Sequence, residues 1–368
     1  MLRIDMPTEH NSPLYKNSLV PVDAASVAIL RAAGALIFGI PSFPQVLGTV
    51  VDVCWIGKTT TTEFAATTLG PSTKNPHSTL RTPGGSSSGS GAAVADFQVP
   101  IALGTQTGGS TIRPGSFNGV YAYKPTWGVV SREGQKVYSL VLDTLGIFAR
   151  GVGDLKVVAG VLGIKDDSLH EFKIKGARFG MVKGPVWDKA GRGTVQAMEK
   201  AKTLLEKQGA VVEEVTLPSS FDNVPNWHAR LMAADARTAF LSEYATDKTN
   251  LHHSLIQHVE NSTNLTHSEE VEALDGIAAL RPQIDEIANR YAALITPSVP
   301  DKAPLGTEST GSAAFNGMWT ALHVPVVNVP GFRGENGMPV GLSLVGGRFR
   351  DEHLLDVAGA VGEVFNRG

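Results

Sequence analysis

The chain has 368 residues, 42% apolar and 18% charged, and its 32 basic and 35 acidic side chains leave a formal charge of −3. A near-neutral charge argues against a nucleic-acid-binding protein, which needs a basic face to neutralise phosphates. There is no apolar run of about 18 residues and no signal-peptide pattern, so we expect neither a membrane span nor secretion. One cysteine, Cys54, cannot form an internal disulfide and fits a reducing compartment.

The first part of the chain alternates helices with short strands. Apolar residues recur at helical spacing after Asp23 and stop at Gly34, which predicts a helix, and residues 35–39 predict a buried strand. Residues 92–97 predict a short helix and residues 99–105 another buried strand. Such alternation is typical of an α/β fold, in which helices cover a sheet.

The second part continues this alternation. Residues 194–210 predict an amphipathic helix with Thr194 as its N-cap, and Gly209 ends it before a strand at 210–217. The remaining predicted elements are strands at 176–184, 292–300, 324–331 and 339–347 and a C-terminal helix at 351–365.

A polar run at 247–270 contains His252, His253 and His258. Clustered histidines can indicate a metal site, but these have no carboxylate partner at a recognised ligand spacing. We therefore expect an exposed helix–loop region without a metal.

Glycine and serine are concentrated in residues 83–119, where two tight turns surround a helix and a strand. A flexible linker would not alternate with core elements in this way. The phosphate-loop patterns GxxxxGK[ST] and GxGxxG are absent. Gly85, Ser87 and Gly89 fit the GxSxG nucleophile elbow of α/β-hydrolases, an alternative that lacks the strand expected before an elbow.

Several blocks of sequence follow one another in a specific order. They are GKTTTTEFA (57–65), PGGSSSGSGAAVA (83–95), ALGTQTGGSTIRP (102–114), KPTWGVVSREG (124–134), DTLGIFAR (143–150), FNGMWTALHVPVVNVPG (315–331) and GMPVGLSLVGGRF (337–349). In this order they resemble the amidase signature family over most of residues 5–365. The resemblance implies an α/β amidase signature fold, with a mixed central β-sheet flanked by α-helices. The single implied domain, 1–368, comprises a signature core (57–150), a variable region (185–290) and C-terminal sheet and helix elements (291–365).

The resemblance also implies a hydrolase that cleaves carboxamide C–N bonds through an acyl-enzyme, using a Ser–cisSer–Lys triad and no cofactor. By this resemblance the nucleophile is Ser110, in the TGGS turn, and the bridging serine, which follows a cis peptide bond, is Ser86. Thr107, Gly108 and Gly109, together with Ser110, would form the oxyanion hole.

The residue types suit this chemistry. A serine hydroxyl is a poor nucleophile until a base takes its proton. With no histidine nearby in the sequence, a buried neutral lysine can serve, because burial lowers its pKa. A second serine can relay the proton and later protonate the leaving amine. The glycines let backbone N–H groups approach the substrate oxygen closely.

The family's triad lysine belongs to a G-[IV]-P-x-x-x-K-D segment, which precedes the stretch matched here by DMPTEH. These 368 residues contain no such segment. Lys16, Lys58 and Lys124 lie in other blocks, and none is expected to replace it. Because loss of a triad base costs roughly 10³–10⁶ in kcat, we expect these residues alone to be nearly inactive.

Two further departures from the family occur. Residues 40–56 interrupt its strand–turn–helix order with an apolar insertion, interpreted as a retained intron or a mis-drawn gene model, with a genuine inserted hairpin as the alternative. Gln106 replaces a common aspartate, and Ile112 replaces the arginine that often pairs with it, with Arg113 one position further. Loss of both partners together avoids a buried unpaired charge.

Two other functions stay open. A binding or scaffold protein without catalysis would explain the missing lysine, and some relatives are amidotransferase subunits in tRNA-dependent amidation, which requires partner subunits. For the hydrolase we expect a small-molecule amide substrate, no nucleic-acid or membrane partner and no metal. We also expect a cytoplasmic location, with a homodimer as the candidate assembly.

Overall fold

The structure, a computed structural model, describes residues 6–39, 55–66, 70, 72–167 and 172–367. The described residues contain eleven α-helices and ten β-strands. The helices are α1 (Ala25–Ala32), α2 (Ser88–Ala95), α3 (Ile112–Asn118), α4 (Val152–Val161), α5 (Arg192–Lys207), α6 (Val224–Ala239), α7 (Leu241–Asp247), α8 (His253–Val259), α9 (His267–Ala288), α10 (Gly317–Ala321) and α11 (Asp351–Arg367). The strands are β1 (Leu36–Gly39), β2 (Trp55–Lys58), β3 (Ile101–Gln106), β4 (Tyr121–Lys124), β5 (Thr144–Ala149), β6 (Arg178–Val182), β7 (Val211–Val215), β8 (Ala293–Pro297), β9 (Val326–Arg333) and β10 (Pro339–Val345).

Eight of the strands form one mixed sheet in the order β3-β5-β4-β9-β10-β8-β6-β7. Neighbouring strands from β3 to β8 are antiparallel, whereas β6 is parallel to both β8 and β7. Strands β1 and β2 form a separate parallel pair. The predicted fold class, a mixed central sheet flanked by helices, is therefore confirmed.

The sheet separates two helical layers, because alternate residues of a strand point to opposite faces. On β9, Val327 and Val329 belong to the core that includes residues of α4, α5 and α11. Val326 of the same strand belongs to the core that includes residues of α3, α6, α9 and α10. The glycine–serine stretch leads into this second layer through α3.

The strands predicted from the sequence are present as β1, β3, β6, β7, β8, β9 and β10, and the predicted helices as α1, α2, α5 and α11. Two helix starts differ from the predictions. Helix α2 already begins at Ser88, so part of the glycine–serine tract is helical. Helix α5 begins at Arg192 after the N-cap Gly191. The predicted N-cap, Thr194, lies inside the helix, and its Oγ1 donates to the Val299 carbonyl at 3.0 Å.

Most of the predicted insertion, residues 40–54, lies outside the described residues. Its last two residues, Trp55 and Ile56, lie in β2, where they pair in register with Leu36 and Ile37 of β1. The origin of the insertion stays a prediction.

The polar run 247–270 contains α8 and the start of α9. The Nδ1 atom of His252 accepts from the Ser254 backbone N–H at 3.3 Å and so caps α8. In the part of the chain that the structure describes, no group of three or more His, Cys, Asp and Glu side chains is placed to hold a metal ion. No helix in those same ranges is both long and apolar enough to cross a membrane.

Candidate active site

The TGGS turn joins β3, the edge strand of the eight-stranded sheet, to α3. Thr107, Gly108 and Gly109 are buried in this turn, and Ser110 is half-buried. No other described residue hydrogen-bonds to Ser110 Oγ. The serine predicted as nucleophile is therefore partly exposed to solvent, and its hydroxyl is not held by a hydrogen bond to another described residue.

Three successive carbonyl oxygens of this turn are held by donors from three different elements. The carbonyls of Thr107, Gly108 and Gly109 accept, in that order, from His228 Nε2 at 2.9 Å, from Thr320 Oγ1 at 2.7 Å and from the Arg113 backbone N–H at 2.9 Å.

In a trans peptide the N–H points away from the carbonyl of the preceding residue. The N–H groups of Gly108, Gly109 and Ser110 are therefore directed away from the three donors. None of these three N–H groups has an acceptor among the described residues. Free N–H groups in succession are what an oxyanion hole requires, because each can donate to the charge that develops on a substrate oxygen.

The GGSS turn contains the one non-proline cis peptide bond of the described residues, Gly85–Ser86, a feature that the family resemblance implies. The Ser86 side chain is buried, with 3% of the residue exposed, and its Oγ has no hydrogen-bond partner. An unpartnered buried hydroxyl is unfavourable for folding. Its presence here points to a role in binding or proton transfer.

Two contacts join the GGSS turn to the segment that carries Ser110. Arg113, three residues after Ser110, donates from Nη2 and Nε to the Gly85 carbonyl at 2.5 and 3.1 Å. On the other side of Ser86, Ser87 Oγ accepts from the Thr105 backbone N–H at 3.2 Å. The residues that flank Ser86 thus contact residues on both sides of Ser110.

Gln106 occupies the position where the family often has aspartate, and its neutral amide makes the hydrogen bonds that hold the turn. Gln106 Oε1 accepts from the backbone N–H groups of Thr111 and Ile112 at 2.9 and 3.0 Å, and its Nε2 donates to Thr320 Oγ1 at 3.0 Å. Arg113, by contrast, is a buried cation held by the carbonyls of Gly85 and Gly311. Burial lowers its pKa to about 10.

Several residues of the site were not identified from the sequence. Thr107 Oγ1 donates to Asp143 Oδ1 at 2.5 Å, while Asp143 Oδ2 accepts from the Tyr138 backbone N–H. Burial raises the pKa of Asp143, against the opposing effect of these hydrogen bonds. His228 and Thr320, which hold the turn's carbonyls, lie far from it in the sequence. Thr320 falls within the family-like block 315–331, but nothing in that block shows that it contacts the turn, and no local motif marks His228.

Neither Lys16 nor Lys124 hydrogen-bonds to Ser86 or Ser110 in the described part of the structure. Lys16 is exposed, and the side chain of Lys58 lies outside the described residues. Lys124 is buried at the end of β4, and its Nζ donates to the carbonyls of Pro125 and Val324 at 2.9 and 2.6 Å. Its role is therefore structural.

Lys124 gives a testable pH dependence of stability. Burial lowers its pKa from 10.5 to about 7, so between these values the unfolded chain binds the proton more tightly than the folded chain. We expect the free energy of unfolding to rise with pH from about neutral to about two units higher, and Lys124→Met to flatten that rise. Urea denaturation at both pH values measures this, with the exposed Lys16→Met as control. An unchanged pH slope in Lys124→Met would contradict it.

A cavity of about 630 Å³ lies on the face of the sheet covered by α5 and α11. Its lining includes Ala197, Phe332 and Phe365 but none of the residues of the two turns. It is separate from the candidate active site.

Comparison with known proteins identifies the class of the chain. The family model described as Amidase matches residues 3–355, so the chain belongs to the amidase family. The family and the relatives named below support the conclusion that this protein is an enzyme that acts on amide C–N bonds.

Two curated relatives are named as subunits of glutamyl-tRNA(Gln) amidotransferase. The chloroplastic/mitochondrial protein of Zea mays is 29% identical, over 99% of this chain and 74% of the relative. The protein of Symbiobacterium thermophilum is 30% identical, over 98% of this chain and 80% of the relative.

Two solved structures are similar to the chain throughout. One, described as an amidase, is 28% identical with a TM-score of 0.81 and covers 98% of this chain and 82% of its own. The other, a glutamyl-tRNA(Gln) amidotransferase subunit of Thermotoga maritima, is 26% identical with a TM-score of 0.79, over 98% of this chain and 80% of its own.

Proposed function

We propose that the protein cleaves carboxamide C–N bonds through an acyl-enzyme, with Ser110 as nucleophile and Ser86 as the bridging residue of a Ser–cisSer–Lys mechanism. The observation that carries this proposal is the turn of Thr107–Ser110, with its free N–H groups and partly exposed serine, joined through Arg113 and Thr105 to the turn that holds the buried, unpartnered Ser86 hydroxyl. Nucleophile, proton relay and oxyanion donors are thereby supplied by two adjoining turns.

In the first half-reaction Ser110 Oγ attacks the amide carbon, and its proton passes to Ser86 as the proton of Ser86 passes to the base. The charge on the substrate oxygen is stabilised by backbone N–H groups of the TGGS turn. Collapse breaks the C–N bond, and the amine leaves with the proton that Ser86 returns. Water then attacks the Ser110 ester by the same route and releases the carboxylic acid and free serine.

The base is the part of the triad that the described residues do not provide. A lysine in a G-[IV]-P-x-x-x-K-D segment would supply it in the family, and these 368 residues contain none. We propose that, without such a base, the 368 residues hydrolyse amides slowly, with kcat lower by roughly 10³–10⁶.

Fluorophosphonate labelling followed by mapping of the labelled peptide tests the proposal. It is carried out on the 368-residue chain and on a chain extended by the family's lysine segment. We expect the label on Ser110, faster in the extended chain, together with hydrolysis of a simple amide. A label on another serine would contradict the assignment of Ser110. Two unlabelled, inactive chains would favour the non-catalytic binding or scaffold protein.

A second candidate is a component of a tRNA-dependent amidotransferase, which the names of the Zea mays and Symbiobacterium thermophilum relatives favour. Such a component would release ammonia from a carboxamide to a partner protein. Comparing glutamine with unrelated amides as substrates separates the two candidates, since strict preference for glutamine would favour the amidotransferase component and broad amide hydrolysis the hydrolase.

The substrate class that follows is a small-molecule amide. We propose that residues 1–368 form one catalytic domain, that the protein acts in the cytoplasm, and that it assembles as a homodimer. Limited proteolysis, imaging of a tagged chain and sedimentation velocity test these three statements, in that order.

A further inference from the structure

His228 lies in α6, in the middle of the variable region, yet its side chain reaches the TGGS turn. The residue is 8% exposed, and its Nε2 is 2.9 Å from the Thr107 carbonyl oxygen. A carbonyl oxygen can only accept, so Nε2 carries the hydrogen and Nδ1 is unprotonated in the neutral ring. Burial lowers the pKa of His228, which favours this neutral form.

Two glycines lie against the imidazole ring, and at one of them, Gly317, a larger residue would crowd it. A Cβ added to Gly317, at the start of α10, would lie 3.0 Å from His228 Nδ1. A Cβ added to Gly108 would lie 3.5 Å from His228 Cε1. The ring therefore fits between α10 and the turn, and its orientation is fixed by packing as well as by the hydrogen bond.

The consequence for the turn follows from peptide geometry. The Thr107 carbonyl and the Gly108 N–H belong to one planar trans peptide and point in opposite directions. A donor that fixes the carbonyl on one side therefore fixes the N–H on the other. Without that donor the peptide could rotate, and the Gly108 N–H would lose its direction.

We propose that His228 is a positioning residue of the amidase reaction, whose Nε2–H holds the Thr107 carbonyl so that the Gly108 N–H is aimed at the substrate oxygen. The inference rests on the proposed function, since it takes the TGGS turn as the oxyanion hole. It adds a contribution from the variable region to a site otherwise built by the signature core and by α10. His228 itself does not touch the reacting atoms.

The test compares His228→Ala and His228→Gln in the chain that gives the faster fluorophosphonate labelling. Loss of one oxyanion donor costs roughly 10²–10³ in rate, so we expect His228→Ala to lose about 10²-fold in kcat and in the labelling rate, with little change in KM. Glutamine retains an N–H donor, so His228→Gln should recover most of the loss. His258→Gln, a half-buried histidine of α8, is the matched control and should change neither rate.

A second measurement does not depend on activity. In ¹⁵N-histidine NMR spectra, the His228 signals are assigned by their absence from the spectrum of His228→Gln. We expect the Nε2–H tautomer at neutral pH, and an Nδ1–H tautomer, whose Nε2 cannot donate, would overturn the proposal. Equal labelling rates for folded His228→Ala and the unmodified chain would also overturn it. An unmodified chain that is not labelled at Ser110 would instead refute the proposed function, with the NMR result still reporting on the hydrogen bond.

Discussion

Ser110→Ala, made in the chain extended by the family's lysine segment, is expected to abolish fluorophosphonate labelling and to lower amide hydrolysis by roughly 10³–10⁶-fold. The substitution removes the oxygen atom that we propose forms the acyl-enzyme. Ser110 is half-buried and its Oγ bonds to no other described residue, so stability should change by less than about 0.5 kcal/mol. Labelling, steady-state hydrolysis and urea denaturation of the same preparation measure the three quantities.

Ser88→Ala is the control for this result. Ser88 lies in the glycine–serine tract and is fully buried, and its Oγ makes only a 3.5 Å contact with the Ser86 carbonyl. We expect this variant to retain labelling at Ser110. If Ser110→Ala still carried the label, the nucleophile would have to be another residue.

Ser86→Ala is expected to separate activity from stability. Its buried Oγ has no partner, so the methyl group of alanine should leave the free energy of unfolding unchanged or raise it by about 1 kcal/mol. In the chain extended by the family's lysine segment, loss of the proton relay should nevertheless lower the rate of hydrolysis by roughly 10²–10⁴-fold. If Ser86→Ala is as stable as the unmodified chain but far less active, the Ser86 hydroxyl contributes to catalysis and not to stability.

Ser90→Ala is the matched control, for which we expect a loss of stability without a loss of activity. Ser90 is also buried, but its Oγ donates to the Leu103 carbonyl at 2.7 Å. Its loss should lower stability by about 1 kcal/mol and leave the rate of hydrolysis nearly unchanged. Were Ser86→Ala to behave like Ser90→Ala, the bridging role assigned to Ser86 would be wrong.

The elements with a clear local signal were predictable from the sequence. Helices α5 and α11 have amphipathic spacing, and α5 is followed by Gly209, which has a φ of +82°. Helix α9 was not predicted, although Thr266 and Glu269 form a capping box at its start. Pro282 inside this 22-residue helix is a residue that ordinarily argues against a helix.

The site was predictable where its residues are close together in the sequence. The two turns that contain Ser86 and Ser110 are short motifs, and their order along the chain could be matched to a family. His228 could not be found in this way, because the sequence places no histidine near the turn and only the packing of α6 brings one there. Thr320 is a similar case, since its contact with the Gly108 carbonyl depends on how α10 packs against the turn.

The hydrogen bond between α6 and the Thr107 carbonyl bears on how this enzyme could be engineered. Libraries aimed at new substrates would naturally randomise the least family-like part of the chain, which includes α6. Because we propose that His228 of that helix holds the TGGS turn in place, libraries that altered His228 would lower turnover, whatever they gained in selectivity. A design that keeps His228 together with Gly108 and Gly317, and varies the exposed positions of the helix, would leave this support intact.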